Sequence, residues 1–328
     1  GPGGDGVIYS NFKDQRLYWA KSSADGGIAE VVELTPSSAY EEDVRYRFAD
    51  AVLDEARGRL ICVREDHTES KPSQVKNTIC AVAFDGSGSM EVLAEGHDFY
   101  AAPRLSPDGK ELAYICWDHP SMPWDATQLR VAVLEPSGGP SSDDAIIGTI
   151  GDSTKAVSVM QPSWSSSGEL HFIADSSGWW NLYRRGKDGE IQPLYAKDAE
   201  FSGAAPGWML GQQNYEHLAD GRCIACFADR ERGENRLVIL GADGSAVEFG
   251  QEEGLPRHMG GLCASPDGSK LYFLGGDPAT APGIYAWQIP LSGAAPGDAE
   301  LLVSSQQADM QVDPAYVSKP ELIEFPTA

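Results

Sequence analysis

One short pattern recurs along the whole chain: a glycine turn followed at once by an apolar run. It reads DGVIY at 5–9, RGRLICV at 57–63 and SPDGKELAYI at 106–115. It returns as SSGELHFIA at 166–174, ADGRCIACFA at 219–228 and SPDGSKLYFL at 265–274. The copies fall roughly 50 residues apart, a spacing typical of propellers and solenoids. Asp-Gly and Ser-Pro-Asp-Gly suit tight hairpins, because Gly accepts positive φ and Pro presets the first turn dihedral.

Each apolar run is followed by a polar loop and a second strand-like run: RLYWAK, NTICAVAF, QLRVAVL, NLYRR, NRLVIL and GIYAWQI. A third run follows in several copies (AEVVELT, MEVLAE, IQPLYA, AELLVSS), and runs such as DFYAAPRL and HMGGLCA precede the turns. Helical periodicity is almost absent. Four short strands per repeat predict an all-β chain, a β-propeller of four-stranded antiparallel blades. Six blades are visible, and a seventh in a longer parent is left open. A β-sandwich array is the competing architecture. The first blade is expected to be incomplete, since DGVIY should follow an innermost strand and the sequence starts at its turn.

Label the strands of a blade a to d from the axis outward. The Asp-Gly turns join a to b on one rim. The b–c loops and d–a crossovers then emerge on the other, because antiparallel strands alternate direction. The b–c loops are SNFKDQ (10–15), VREDHTESKPSQ (63–74), WDHPSMPWDATQ (117–128), ADSSGWW (174–180), ADRERGE (228–234) and GGDPATAPG (275–283). They carry Arg64, Glu65, Asp66, His67, Trp117, Asp118, His119, Trp124, Asp125, Trp179, Trp180, Arg230 and Arg232. Aromatic and Arg side chains on loops of a rigid scaffold suit a recognition or docking face. The plainer reading is that Trp117, Trp124 and Trp179 pack between blades while the acids cap loop amides.

With 49 acidic against 25 basic side chains, the net charge of -24 repels phosphate backbones and anionic lipid. Nucleic acid and membrane are not expected partners. No window approaches the roughly 20 apolar residues of a membrane-spanning helix, and no signal-peptide pattern opens the sequence. Six scattered cysteines, most inside apolar runs, read as buried free thiols of a reducing compartment, hence a cytoplasmic protein, with an organelle also open. CIAC at 223–226 has the spacing of a redox or zinc motif, but on a strand its two sulfurs point to opposite faces.

Catalytic signatures are sparse. There is no G-x-S-x-G elbow, no H-E-x-x-H pattern and no phosphate loop. GDS at 151–153 is a weak signal. EDH and WDH each set an acid beside a histidine, but neighbours on a strand point apart, so neither is expected to form a catalytic pair. No cofactor or metal is expected.

YAAPRLSPDGKELAYICWDHPSMPWDATQLRVA, with SNFKDQRLYW, ICVREDH, SGWWNLYR and SKPELIEFPTA in the same order, resembles the propeller of prolyl oligopeptidase-family serine peptidases. The acylaminoacyl-peptidase or dipeptidyl-aminopeptidase-like branch is the nearest in pattern. SPDG is common to many propellers; WDHPSMPWD and SGWWNLYR together are specific. The resemblance implies a propeller over 1–314 and, over 315–328, the start of a linker toward an α/β-hydrolase domain. It also implies further sequence upstream. The Ser-Asp-His triad of the family would lie in the hydrolase domain, so no catalytic residue is carried over. The implied role is to gate and orient short peptides for that domain, with the b–c loops facing the substrate cavity. A stand-alone scaffold for protein–protein interaction is the alternative, and homo-oligomers are left open.

Overall fold

The computed structural model describes residues 6–37, 46–69, 71–147, 156–186, 188–203, 207, 209–291, 294–306, 316–318, 320–323 and 325–326. The GDS motif and the expected boundary at 314/315 lie outside the described residues. Within them the regular structure is all strand, apart from single 3-10 turns at Glu55–Arg57, Pro72–Gln74 and Gln251–Glu253. The strands form antiparallel meanders in chain order, the blades of a β-propeller. The chain divides into two compact units, one of residues 1–164 with 207–211, the other of 165–206 with 212–328.

The first unit opens with three strands, β1 (Gly6–Ser10), β2 (Leu17–Ser22) and β3 (Ile28–Glu33). The inner strand expected to be missing from this blade is absent among the described residues, and β1 is its first strand. Two four-stranded blades follow. One holds β4 (Tyr46–Asp54), β5 (Arg59–Asp66), β6 (Lys76–Ala83) and β7 (Met90–Ala94); the next holds β8 (Phe99–Leu105), β9 (Glu111–Trp117), β10 (Gln128–Leu134) and β11 (Pro140–Ile147). β12 (Val159–Trp164) begins the fourth blade, and the division between the units falls at the turn after it.

The second unit continues with β13 (Leu170–Ala174), β14 (Asn181–Arg185) and β15 (Ile191–Pro193). Its two complete blades are β16 (Tyr215–His217), β17 (Cys223–Asp229), β18 (Glu234–Leu240), β19 (Ala246–Phe249), and β20 (His258–Ala264), β21 (Lys270–Asp277), β22 (Thr280–Gln288), β23 (Glu300–Ser304).

A strand alternates its side chains, and here both faces are buried. On β5, Leu60 and Cys62 join Leu17, Phe48 and Val82 on one side. Ile61 and Val63 join Tyr100, Leu112 and Tyr114 on the other. That is why the b strands read as unbroken apolar runs rather than alternating ones. The same parity settles CIAC: Cys226 sits in the core of the last two blades with Ile224, while Cys223 turns away from it. Both thiols are buried, and burial pushes that of Cys226 up to about 12. Five of the six cysteines are buried as expected; Cys263 is exposed.

The turns work as their sequences imply. In SPDG, Gly109 takes φ +70° and closes on the Ser106 carbonyl at 2.8 Å. Ser106 Oγ bonds Asp108 and accepts the amides of Lys110 and Glu111. Ser265, Asp267 and Gly268 repeat the pattern. The sequence does not show a bulge in the inner strands, where Asp50, Ala102 and Gln161 take φ near +50° without being glycine. Asp50 joins two of these bulges: its carboxylate accepts the Ala102 amide at 2.7 Å and Arg104 Nη1 at 3.0 Å.

Trp287 is fully buried among Phe249, Phe273 and Tyr285, with its indole N–H on the Gly297 carbonyl at 2.8 Å. Trp287→Ala is expected to cost about 3–5 kcal/mol, from the cavity and the orphaned carbonyl. Chemical denaturation measures this; a loss under about 1 kcal/mol would mean the last blade does not depend on this core.

Candidate functional site

In the first unit the loop after β9 is built on Trp117. Its ring is buried and stacks on Phe99, centroids 5.2 Å apart. The chain then turns through a cis His119–Pro120 bond. The His119 ring meets the edge of Phe99 at 4.9 Å. Two carboxylates clasp this loop to the d–a crossover before β8. Asp118 accepts the Asp98 amide at 2.8 Å and the imidazole of His97 at 2.7 Å; Asp98 accepts the His119 amide at 2.9 Å. Asn77 donates to the Asp98 carbonyl at 2.6 Å. Burial alone would raise the Asp118 pKa, but His97 and the Asp98 amide hold it below the usual carboxylate range.

In WDH the strand ends at Trp117; Asp118 and His119 lie in the turn beyond it, and the acid pairs with a histidine twenty-one residues away. EDH differs: its acid and histidine do pair within the motif, His67 with Glu65 at 2.8 Å rather than with the adjacent Asp66, which accepts the Thr68 amide. Arg64 lies over the Tyr46 ring at 4.8 Å. Asp125 accepts the Met122 amide. Trp117, Asp118 and Asp125 build the loop, Trp117 by stacking on Phe99 of the neighbouring strand in its own blade rather than between blades. Trp124, at 41 % exposure, and His119 present surface.

In the second unit, Trp179 is half-buried under the Arg230 guanidinium at 4.8 Å. Trp180 is held by its backbone: its amide donates to Glu200 and its carbonyl accepts the Phe201 amide. Arg232 pairs with Glu252 at 3.0 Å. Beside Arg230 lies a hollow of about 570 Å³, walled by Asp198, Asp229, Glu231, Glu234 and His258. Leu322 and Ile323 of the C-terminal segment line it.

Sequence reading missed His97, Asp98 and Phe99 in the first unit, and Glu200, His258 and Leu322 in the second. The signal was present: d–a crossovers must share a rim with the b–c loops.

No family model and no curated protein matches this sequence. Solved structures do. Puromycin hydrolase is 30% identical, with a TM-score of 0.79, over 96% of this chain and 45% of its own. A puromycin-hydrolyzing peptidase of Mycobacterium tuberculosis is 29% identical, with a TM-score of 0.80, over 96% of this chain and 46% of its own. Prolyl oligopeptidase B from Galerina marginata matches at 10% identity and a TM-score of 0.62, a likeness of fold. The likeness to prolyl oligopeptidase-family propellers read from WDHPSMPWD and SGWWNLYR is found again in the fold. The chain spans less than half the length of each of these three structures.

Removing the Asp118 carboxylate deletes two bonds across the clasp. Asp118→Ala should cost about 1–2 kcal/mol and free the 117–127 loop, seen as faster amide exchange at Asp98 and His119. The carboxylate is held below its unfolded value, so its contribution is complete above the ordinary carboxylate range. It is lost as pH falls through the lowered folded value. A stability profile that is flat through that acid range, or unchanged by Asp118→Ala, would show that the clasp adds nothing.

Proposed function

We propose that this β-propeller, similar along 96% of its length to part of two puromycin-hydrolyzing enzymes, is the non-catalytic propeller of a prolyl oligopeptidase-family serine peptidase. Its role is to gate and orient short peptides for an α/β-hydrolase domain. The observation that carries this reading is the extent of the match: nearly all of this chain fits less than half of each relative. The absence of a G-x-S-x-G elbow in the chain agrees with a triad lying elsewhere.

The loops support the same reading. Trp124 and His119 in the first unit, and Trp179 with Arg230 in the second, stand on b–c loops held by backbone bonds and by Asp118 or Glu200. Rigid aromatic and Arg groups of this kind recognise peptides at low entropic cost. Leu322 and Ile323, in the segment that resembles the linker into the hydrolase, lie against the hairpin between β17 and β18. A hydrolase domain joined there would cover the b–c loops of this unit. Among the described residues no helix is long and apolar enough to cross a membrane. The buried free thiols suit a reducing cytoplasm.

The purified chain alone should hydrolyse neither puromycin nor short chromogenic peptides. The native polypeptide that contains it should hydrolyse them with a serine-reagent-sensitive activity. In that polypeptide, Trp124→Ala and Trp179→Ala should raise KM for short peptides about three- to tenfold with kcat little changed. Turnover by the chain alone would overturn the reading. Unchanged kinetic constants in both variants would remove these loops from the substrate path. A native polypeptide lacking a hydrolase domain would leave the interaction scaffold as the better reading.

A further inference from the structure

Away from the b–c loops, the second unit holds a cleft of about 490 Å³ between neighbouring blades, at the end of the sheets where the Asp-Gly turns lie. The strands that border it, β15 and β16, have three residues each. The volume is that of a small-ligand pocket.

The lining is unusual for so acidic a chain. Its charged groups are two arginines, Arg184 and Arg222, and a single glutamate, Glu169. His171 and His217 lie beside them with ring centroids 4.4 Å apart. His171 is buried, and burial lowers its pKa to about 4, so at neutral pH it is polar without charge. Its Nδ1 lies 3.3 Å from the Glu169 carbonyl.

The two arginines differ in how they are held. Arg222 is tied to Asp220 at 2.7 Å and to the Pro290 carbonyl at 2.9 Å. Arg184 has five N–H donors, and its contacts are long: Gln192 Oε1 at 3.4 Å and Glu169 Oε1 at 3.9 Å. Elsewhere in the same unit Arg236 is closely served by Glu234 and Glu252, at 3.1 and 2.7 Å. A guanidinium this loosely paired on a cavity wall retains donors for a planar or tetrahedral oxyanion.

We propose that this cleft binds a small oxyanion, a carboxylate or a phosphate, anchored on Arg184 and seated against His171 and His217. Glu169 is the competing intramolecular partner of that arginine, so the site has a built-in opponent that can be removed.

The test titrates the full chain with inorganic phosphate and with succinate at constant ionic strength, by calorimetry and by NMR of the histidine rings. Saturable binding that shifts the His171 and His217 resonances is expected, and preference between the two probes identifies the anion class. Arg184→Gln should weaken binding about tenfold or more, and Glu169→Gln should tighten it. Absence of saturable binding of either probe, or equal binding by Arg184→Gln and the wild type, overturns the proposal. If Arg184→Gln does not fold, Glu169→Gln decides. Tighter binding supports the site, and unchanged or weaker binding overturns it.

Discussion

Strands β5, β9 and β17 are buried on both faces of their blades, and most of the rest follows from that. A sheet with one wet face alternates apolar and polar residues; β5, β9 and β17 cannot. Leu60 and Cys62 serve one seam and Ile61 and Val63 the other, so this blade packs on a neighbour at each face. Polar residues are pushed to the strand ends and outer strands, where acidic side chains accumulate. Arginines then reach from one blade to backbone carbonyls of the next at the turns. Arg59 bonds Asp54, wholly buried, and reaches the Gly138 carbonyl of the next blade. Arg57 reaches the Gly109 carbonyl from the same side. Such buried pairs are costly to desolvate, so their value lies in fixing how one blade meets the next rather than in net stability.

This constraint is also why the fold could be read so far from sequence. Apolar runs at a regular spacing, each preceded by a glycine turn, leave few architectures other than stacked sheets. The inner strands were harder to see. Their bulges need one residue at positive φ, and Asp50, Ala102 and Gln161 are not the residues that advertise it. Ala102 is held there by its amide bond to Asp50, fifty-two residues away, and no local pattern could reveal that pairing. Gly261, in β20, is the one bulge residue whose type gives it away.

The loops show a similar division between local and non-local information. That the b–c loops share a rim follows from strand direction alone. Which side chains on them face outward does not. Trp117 and Trp124 sit seven residues apart in one motif, yet one fills the gap against Phe99 and the other meets solvent. Asp118 is next to His119 in sequence but bonds His97, because the crossover before β8 approaches from the other side. A motif such as WDHPSMPWD therefore marks a place in the fold reliably, while the roles of its residues depend on a segment that carries no motif at all.

Clasped loops of this kind combine two demands. A recognition surface needs polar and aromatic groups exposed, and those groups gain little if they must first be ordered. Here the ordering is done by carboxylates that accept backbone amides: Asp118 for residue 98, Asp98 for residue 119, Glu200 for residue 180. Those acids are consumed by the scaffold and are not free to bind a cation. The acids that wall the hollow beside Arg230 are divided in the same way: Asp229 accepts the amides of Glu231 and Arg232. The net charge of the loops thus overstates what they offer a ligand. The aromatic rings, with Arg230 above Trp179, are the groups the proposed peptide contact would use.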